Sequence, residues 1–179
     1  MQVAKQKRKE NIAEYILYLY QVEDLIRAFN FDIDLIQEKL VANYQADEKT
    51  SAEITDWYNN LVVMMEKEGI RENGHLQFLT NLIADINEFH MKLMELATEK
   101  VYVQNFRSIS GLIVELKQKN KIAKNDIQLG LDTIYGFILL RMKKAEISAE
   151  TENAVKQLSQ WLGSLSKLYK DFELGELDL

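Results

Sequence analysis

Apolar residues recur every three or four positions through most of the chain, and no strand-length run alternates apolar with polar. The spacing predicts helices and no sheet. Seven segments carry the pattern. The first, Asn11 to Phe29, places Ile12, Tyr15, Ile16, Leu19, Val22, Ile26 and Phe29 on one side at roughly 100° per residue. A short second helix is opened by Asn30 and Asp32 and runs through Ile36, Leu40 and Tyr44. Thr50 and Glu53 have the spacing of a capping box, opening a third helix through Ile54, Trp57, Tyr58, Leu61 and Met65 that Gly69 ends.

The fourth segment, His75 to Ala97, is the most regular, with Leu76, Leu79, Ile83, Ile86, His90, Leu93 and Ala97 forming a seam for a neighbouring helix. The fifth, Val101 to Lys119, turns Tyr102, Phe106, Ile109, Ile113 and Leu116 inward. Asn125 and Gln128 cap a sixth, whose run Ile134 to Leu140 is apolar nearly all round and is expected at the centre of the fold. Ser148 opens the seventh, striped by Val155, Leu158, Trp161, Leu162, Leu165, Leu168, Tyr169 and Phe172. There Ser159, Gly163 and Ser166 form a small-residue edge suited to close helix approach. The expected fold is therefore all-α, a single-domain bundle of about seven helices over residues 1–179. Residues 1–8 are expected as a basic N-terminal extension and 173–179 as a loose acidic tail.

Composition narrows the function classes. With 28 acidic against 22 basic residues the net charge is −6, which disfavours a nucleic-acid surface. The chain has no cysteine, so disulfides, thiolate zinc sites and cysteine nucleophiles are excluded, and a cytoplasmic setting is expected. Proline is also absent, so no helix is broken from within. The basic cluster Lys5, Lys7, Arg8 and Lys9 precedes an apolar run, but Glu14 interrupts that run and no cleavage site follows, which argues against export. No stretch has the length of a membrane span.

Glu23 falls between Ile12 and Ile16 in projection on the apolar face of the first helix, and Arg27 follows one turn later. A carboxylate there must be paired. The favoured reading is a structural ion pair between Glu23 and Arg27, at a favourable i, i+4 spacing, with Asp24 also within reach of Arg27. Arg141, in line with Ile134, Phe137 and Ile138, could join them. Two arginines and a carboxylate converging between helices one and six would make a small anion-recognising pocket.

His90 is expected at the core boundary with one hydrogen-bond partner, and secondarily as a base or ligand. Trp57, Tyr58, Tyr15, Tyr18 and Tyr20 line a core edge or, alternatively, a recognition surface. Glu72 with His75 is a lone Glu-x-x-His and does not make a carboxylate-bridged metal site. Gly69 and Gly74 have phosphate-loop spacing, but His75 and Leu76 stand where a lysine and a hydroxyl are needed. No catalytic residue, metal or cofactor is assigned.

Lys7 to Tyr15, Gln21 to Arg27, Asn30 to Asp34, Gly74 to Gln77, Tyr135 to Arg141 with Ile147 and Ser148, and Glu176 to Leu179 resemble an uncharacterised bacterial all-helical family, a domain of unknown function. The resemblance covers essentially the whole chain and implies no activity. Two functions are expected from these readings. One is a non-catalytic interaction module, simplest as a homo-oligomer or with a protein partner. The other is a small anionic-ligand binder or an enzyme acting on such a ligand, using Glu23, Arg27 and Arg141 with His90 more remotely.

Overall fold

The computed structural model describes residues 1–179 and is all-helical, with nine α-helices rather than about seven and no strand. They are α1 (Gln2–Glu10), α2 (Ile12–Ala28), α3 (Ile33–Lys39), α4 (Glu48–Lys67), α5 (Gln77–Leu96), α6 (Lys100–Ser108), α7 (Ser110–Lys119), α8 (Asp126–Met142) and α9 (Ala149–Glu173), with a single 3₁₀ turn at Val41–Tyr44. α2 packs on α8 and α9, and α5 packs on the same two helices. α4 packs on α2 and carries α3, while α6 packs on α9 and α7 on α8. No helix is long and apolar enough to cross a membrane.

Side-chain caps set most helix starts. Asn11, Asp32, Asp47, Asn125 and Ser148 each accept a hydrogen bond from a first-turn backbone N–H, satisfying donors that the helix itself leaves free. The expected capping box at Thr50 is displaced: Asp47 accepts from the Thr50 N–H at 2.7 Å, so α4 begins a turn earlier. One start differs. Leu76 at the head of α5 has no side-chain oxygen, and that helix is capped from elsewhere in the fold.

Both additional helices have a local cause. The basic cluster expected as an extension lies on α1, with Lys7, Arg8 and Lys9 in its last turn, where cations suit the negative helix pole. Arg8 then makes a bidentate pair with Glu173, the last residue of α9, at 2.7 and 2.6 Å. Since both partners are about one-third exposed, Arg8→Ala should cost under about 1 kcal/mol, a loss that shrinks in high salt. Urea titration at two ionic strengths measures both.

The expected fifth helix splits at Ile109 into α6 and α7. There the Ser108 and Ser110 hydroxyls donate to the Asn105 and Arg107 carbonyls, competing with the helical ladder at the break.

Two packing expectations are also corrected. The buried half of α8 is Ile127, Leu129, Gly130, Leu131 and Ile134, whereas Leu140 is exposed, so the Ile134 to Leu140 run is not the centre. The close helix approach uses Gly130, where a Cβ would stand 3.1 Å from Trp161 Cζ3. Of the edge Ser159, Gly163 and Ser166, only Ser166 is buried, its hydroxyl accepting from the Ala13 N–H at 3.3 Å.

Candidate ligand pocket at the head of helices α5 and α8

Glu23 is buried on α2, as its position in the apolar stripe requires, at 1% exposure. Its partner is not Arg27. Glu23 Oε2 accepts from His75 Nδ1 at 2.6 Å, and Oε1 accepts from the Leu76 N–H at 2.9 Å. Glu68 Oε2 takes the next amide, that of Gln77, at 2.7 Å. Two carboxylates from α2 and the end of α4 thus cap α5, and their charge suits its positive pole.

Arg27 serves the same loop. Its guanidinium pairs with Asp24 at 3.0 Å and donates to the carbonyls of Ile70 and Gly74. Gly74 has φ +92°, a conformation glycine adopts without strain, and that turn delivers His75 to Glu23. Arg141 stands apart, exposed, its guanidinium 5.7 Å from the Phe137 ring centroid and without an ion pair. α8 reaches α2 through Tyr135 instead, whose hydroxyl donates to Asp24 Oδ2 at 2.5 Å. The convergence of Glu23, Arg27 and Arg141 on one pocket is therefore not formed.

His90 sits in a different network. Trp161 Nε1 donates to the Tyr102 hydroxyl at 3.0 Å, which bonds His90 Nδ1 at 2.6 Å, tying α9, α6 and α5 together in the core. Burial drives the His90 pKa down to about 4, opposed in part by the Asp126 charge, so the imidazole is neutral at physiological pH. A neutral ring shares one proton with Tyr102 across this contact, and the Tyr102 oxygen also accepts from Trp161.

The residue that sequence reasoning missed is His75. With Nδ1 held by Glu23, its ring lies flat on Tyr20, centroids 3.6 Å apart and planes 14° from parallel. Tyr135 meets the Tyr20 ring edge-on at 5.5 Å. Tyr20 is itself 1% exposed, and its hydroxyl is a buried side-chain polar atom with no hydrogen-bond partner. Burial first, then the charges of Asp132 and Glu23, push the phenol pKa above its ordinary value, so the hydroxyl keeps its proton as a donor.

Tyr20 and His75 form one wall of a pocket of about 200 Å³. The first turns of α5 supply Gln77, Thr80, Asn81, Ile83 and Ala84, and the start of α8 supplies Lys124, Asn125 and Gln128. Gln77 Nε2 bridges Thr80 Oγ1 and Asn81 Oδ1 at 2.9 and 2.8 Å, fixing the α5 side. A larger depression of about 300 Å³ between α7, α8 and α9 contains no unpartnered buried side-chain atom. No three His, Asp or Glu side chains are grouped to hold a metal ion.

No curated protein and no solved structure matches the chain. The model of one family, described as Domain of unknown function (DUF4924), matches residues 1–176 of 179, as the resemblance in the sequence implies. The chain belongs to that family.

Proposed function

We propose that the protein binds a small polar ligand in the pocket between α2, α5 and the start of α8. The observation that carries this is the Tyr20 hydroxyl. Buried polar groups are almost always hydrogen-bonded, and leaving one unpaired costs about 1–3 kcal/mol. A ligand acceptor placed against Tyr20 would recover that cost. The surroundings suit such a role, because the Tyr20 and His75 rings are braced by Glu23 and Tyr135 before any ligand arrives. Pre-positioning of this kind lowers the entropic cost of binding.

Glu23 belongs to this reading as a positioning residue behind the wall, while Arg27, Arg141 and His90 lie outside it. Self-association through a helix face has less support: Val101, Ile122 and Met142 are exposed on three different segments, and exposed apolar residues of this kind are ordinary.

Saturation-transfer NMR with a set of small carboxylates, phosphates, amides and polyols tests the proposal. At least one class should bind, and Tyr20→Phe should weaken it about tenfold while leaving thermal stability equal or slightly raised, since the variant removes an unsatisfied group. Binding that ignores Tyr20→Phe, or no binding by any class, would sink it.

A further inference from the structure

The pocket wall keeps several unspent hydrogen-bond donors, one of them cationic. Asn81 Oδ1 is taken by Gln77 Nε2, Asn125 Oδ1 by the Gln128 N–H at 2.8 Å, and Gln128 Oε1 by the Lys124 N–H at 3.0 Å. Each amide side chain has therefore spent one acceptor lone pair internally and keeps both N–H groups. Thr80 has spent its only donor on the Gln77 carbonyl and also accepts from Gln77 Nε2. Lys124 makes no ion pair, and the Tyr20 hydroxyl has no partner. Against these, the wall offers Gln77 Oε1, the second nitrogen of His75 and the remaining lone pairs of the amide and hydroxyl oxygens, all of them uncharged.

Charge points the same way. The chain carries six more acids than bases, yet no Asp or Glu lines this pocket and one lysine does. The nearby carboxylates are already engaged: Glu23 with His75 and Leu76, Glu68 with Gln77, Asp126 with Lys117 at 2.6 Å, and Asp132 with Asn120 at 3.3 Å. The positive poles of the α5 and α8 starts are already met by Glu23, Glu68 and Asp126, so the positive character of the wall itself comes from Lys124. The buried Tyr20 hydroxyl calls for an acceptor independently of either helix start.

We infer that the ligand presents a compact oxyanion, carboxylate or phosphate, to Lys124, Tyr20 and the side-chain amides of Asn81, Asn125 and Gln128. This rests on the pocket reading above and specifies its ligand class. The anion replaces the missing partner of Tyr20, and the amides accommodate it without an opposing carboxylate on the wall.

Amide NMR titrations of the full chain with inorganic phosphate, succinate and neutral succinamide separate the possibilities. At least one anion should shift the amides of residues 77–81 and 124–128, the stronger of the two identifying phosphate or carboxylate as the head group. Lys124→Gln should weaken that anion about tenfold, and succinamide should leave these signals unmoved. Succinamide binding as tightly as succinate would overturn the oxyanion assignment and leave the pocket reading standing. Anion binding unchanged in Lys124→Gln would also overturn it. Failure of all three probes, together with the wider set above, would remove both.

Discussion

Glu23→Ala should lower the free energy of unfolding by about 3 kcal/mol, the largest loss expected from any single polar side chain of this protein. Three effects add. The Leu76 N–H, buried at the head of α5, loses its acceptor, His75 loses the group that orients it, and the removed carboxylate leaves a void beneath the loop. The first two are charge-assisted bonds, stronger than neutral ones. Because domains are stable by only about 5–15 kcal/mol, the loss is a sizeable share of the total, and should lower the melting temperature by roughly 6–12 °C. Glu23→Gln keeps the shape and an acceptor for Leu76, so its cost should be about 1 kcal/mol. Calorimetry of both variants decides the matter: a Glu23→Ala loss below that of Glu23→Gln would mean the carboxylate does not hold the loop.

Acid should weaken the fold through His90, by roughly 3 kcal/mol between near-neutral pH and pH 4. The sign follows from the shift. Burial lowers the folded pKa from 6.5 to about 4, so between those values the unfolded chain binds a proton that the folded chain refuses. Stability is complete above the unfolded value and is lost as pH falls toward the folded one. The structural reason is burial of the imidazole among Tyr102, Phe106 and Trp161, where a charged ring loses its hydration. His90→Gln should cost stability at pH 7 but flatten this part of the profile. Urea midpoints for wild type and variant at several pH values provide the measurement, and parallel profiles would show that another group titrates.

The sequence makes the position of Glu23 legible and hides its partner. Periodicity alone places the carboxylate on the apolar face of α2, and burial then demands a partner. The helical i, i+4 rule nominates Arg27 because it sees only one helix. The actual partner, His75, is 52 residues away, in a loop whose path depends on the left-handed turn at Gly74 and on Arg27 binding carbonyls rather than carboxylate. No local pattern encodes that. Tyr20 is obscured for a related reason: with Tyr15 and Tyr18 it reads as one of three aromatics on a core edge, and only packing shows that it alone is fully buried with an unpaired hydroxyl.

Most of the helical architecture is legible, since five of the starts carry their own capping side chain. The division at Ile109 is not, because the apolar spacing continues unbroken across it while two serine hydroxyls compete for the carbonyls. For α8 the mistake has the opposite origin. A run of large apolar residues looks central, but Gly130 is what lets α9 approach, and the core forms where the helices can come closest.

Capping α5 from another helix also alters how that helix opens. The first amides of a helix ordinarily exchange with solvent by fraying, a motion that needs nothing else in the protein to move. The Leu76 amide is held by a side chain rooted in α2, so its proton is released when the two elements part, and the first turn of α5 shares the fate of the interior. Its amide therefore registers separation within the tertiary fold from a position where amides normally register only the loosening of an end.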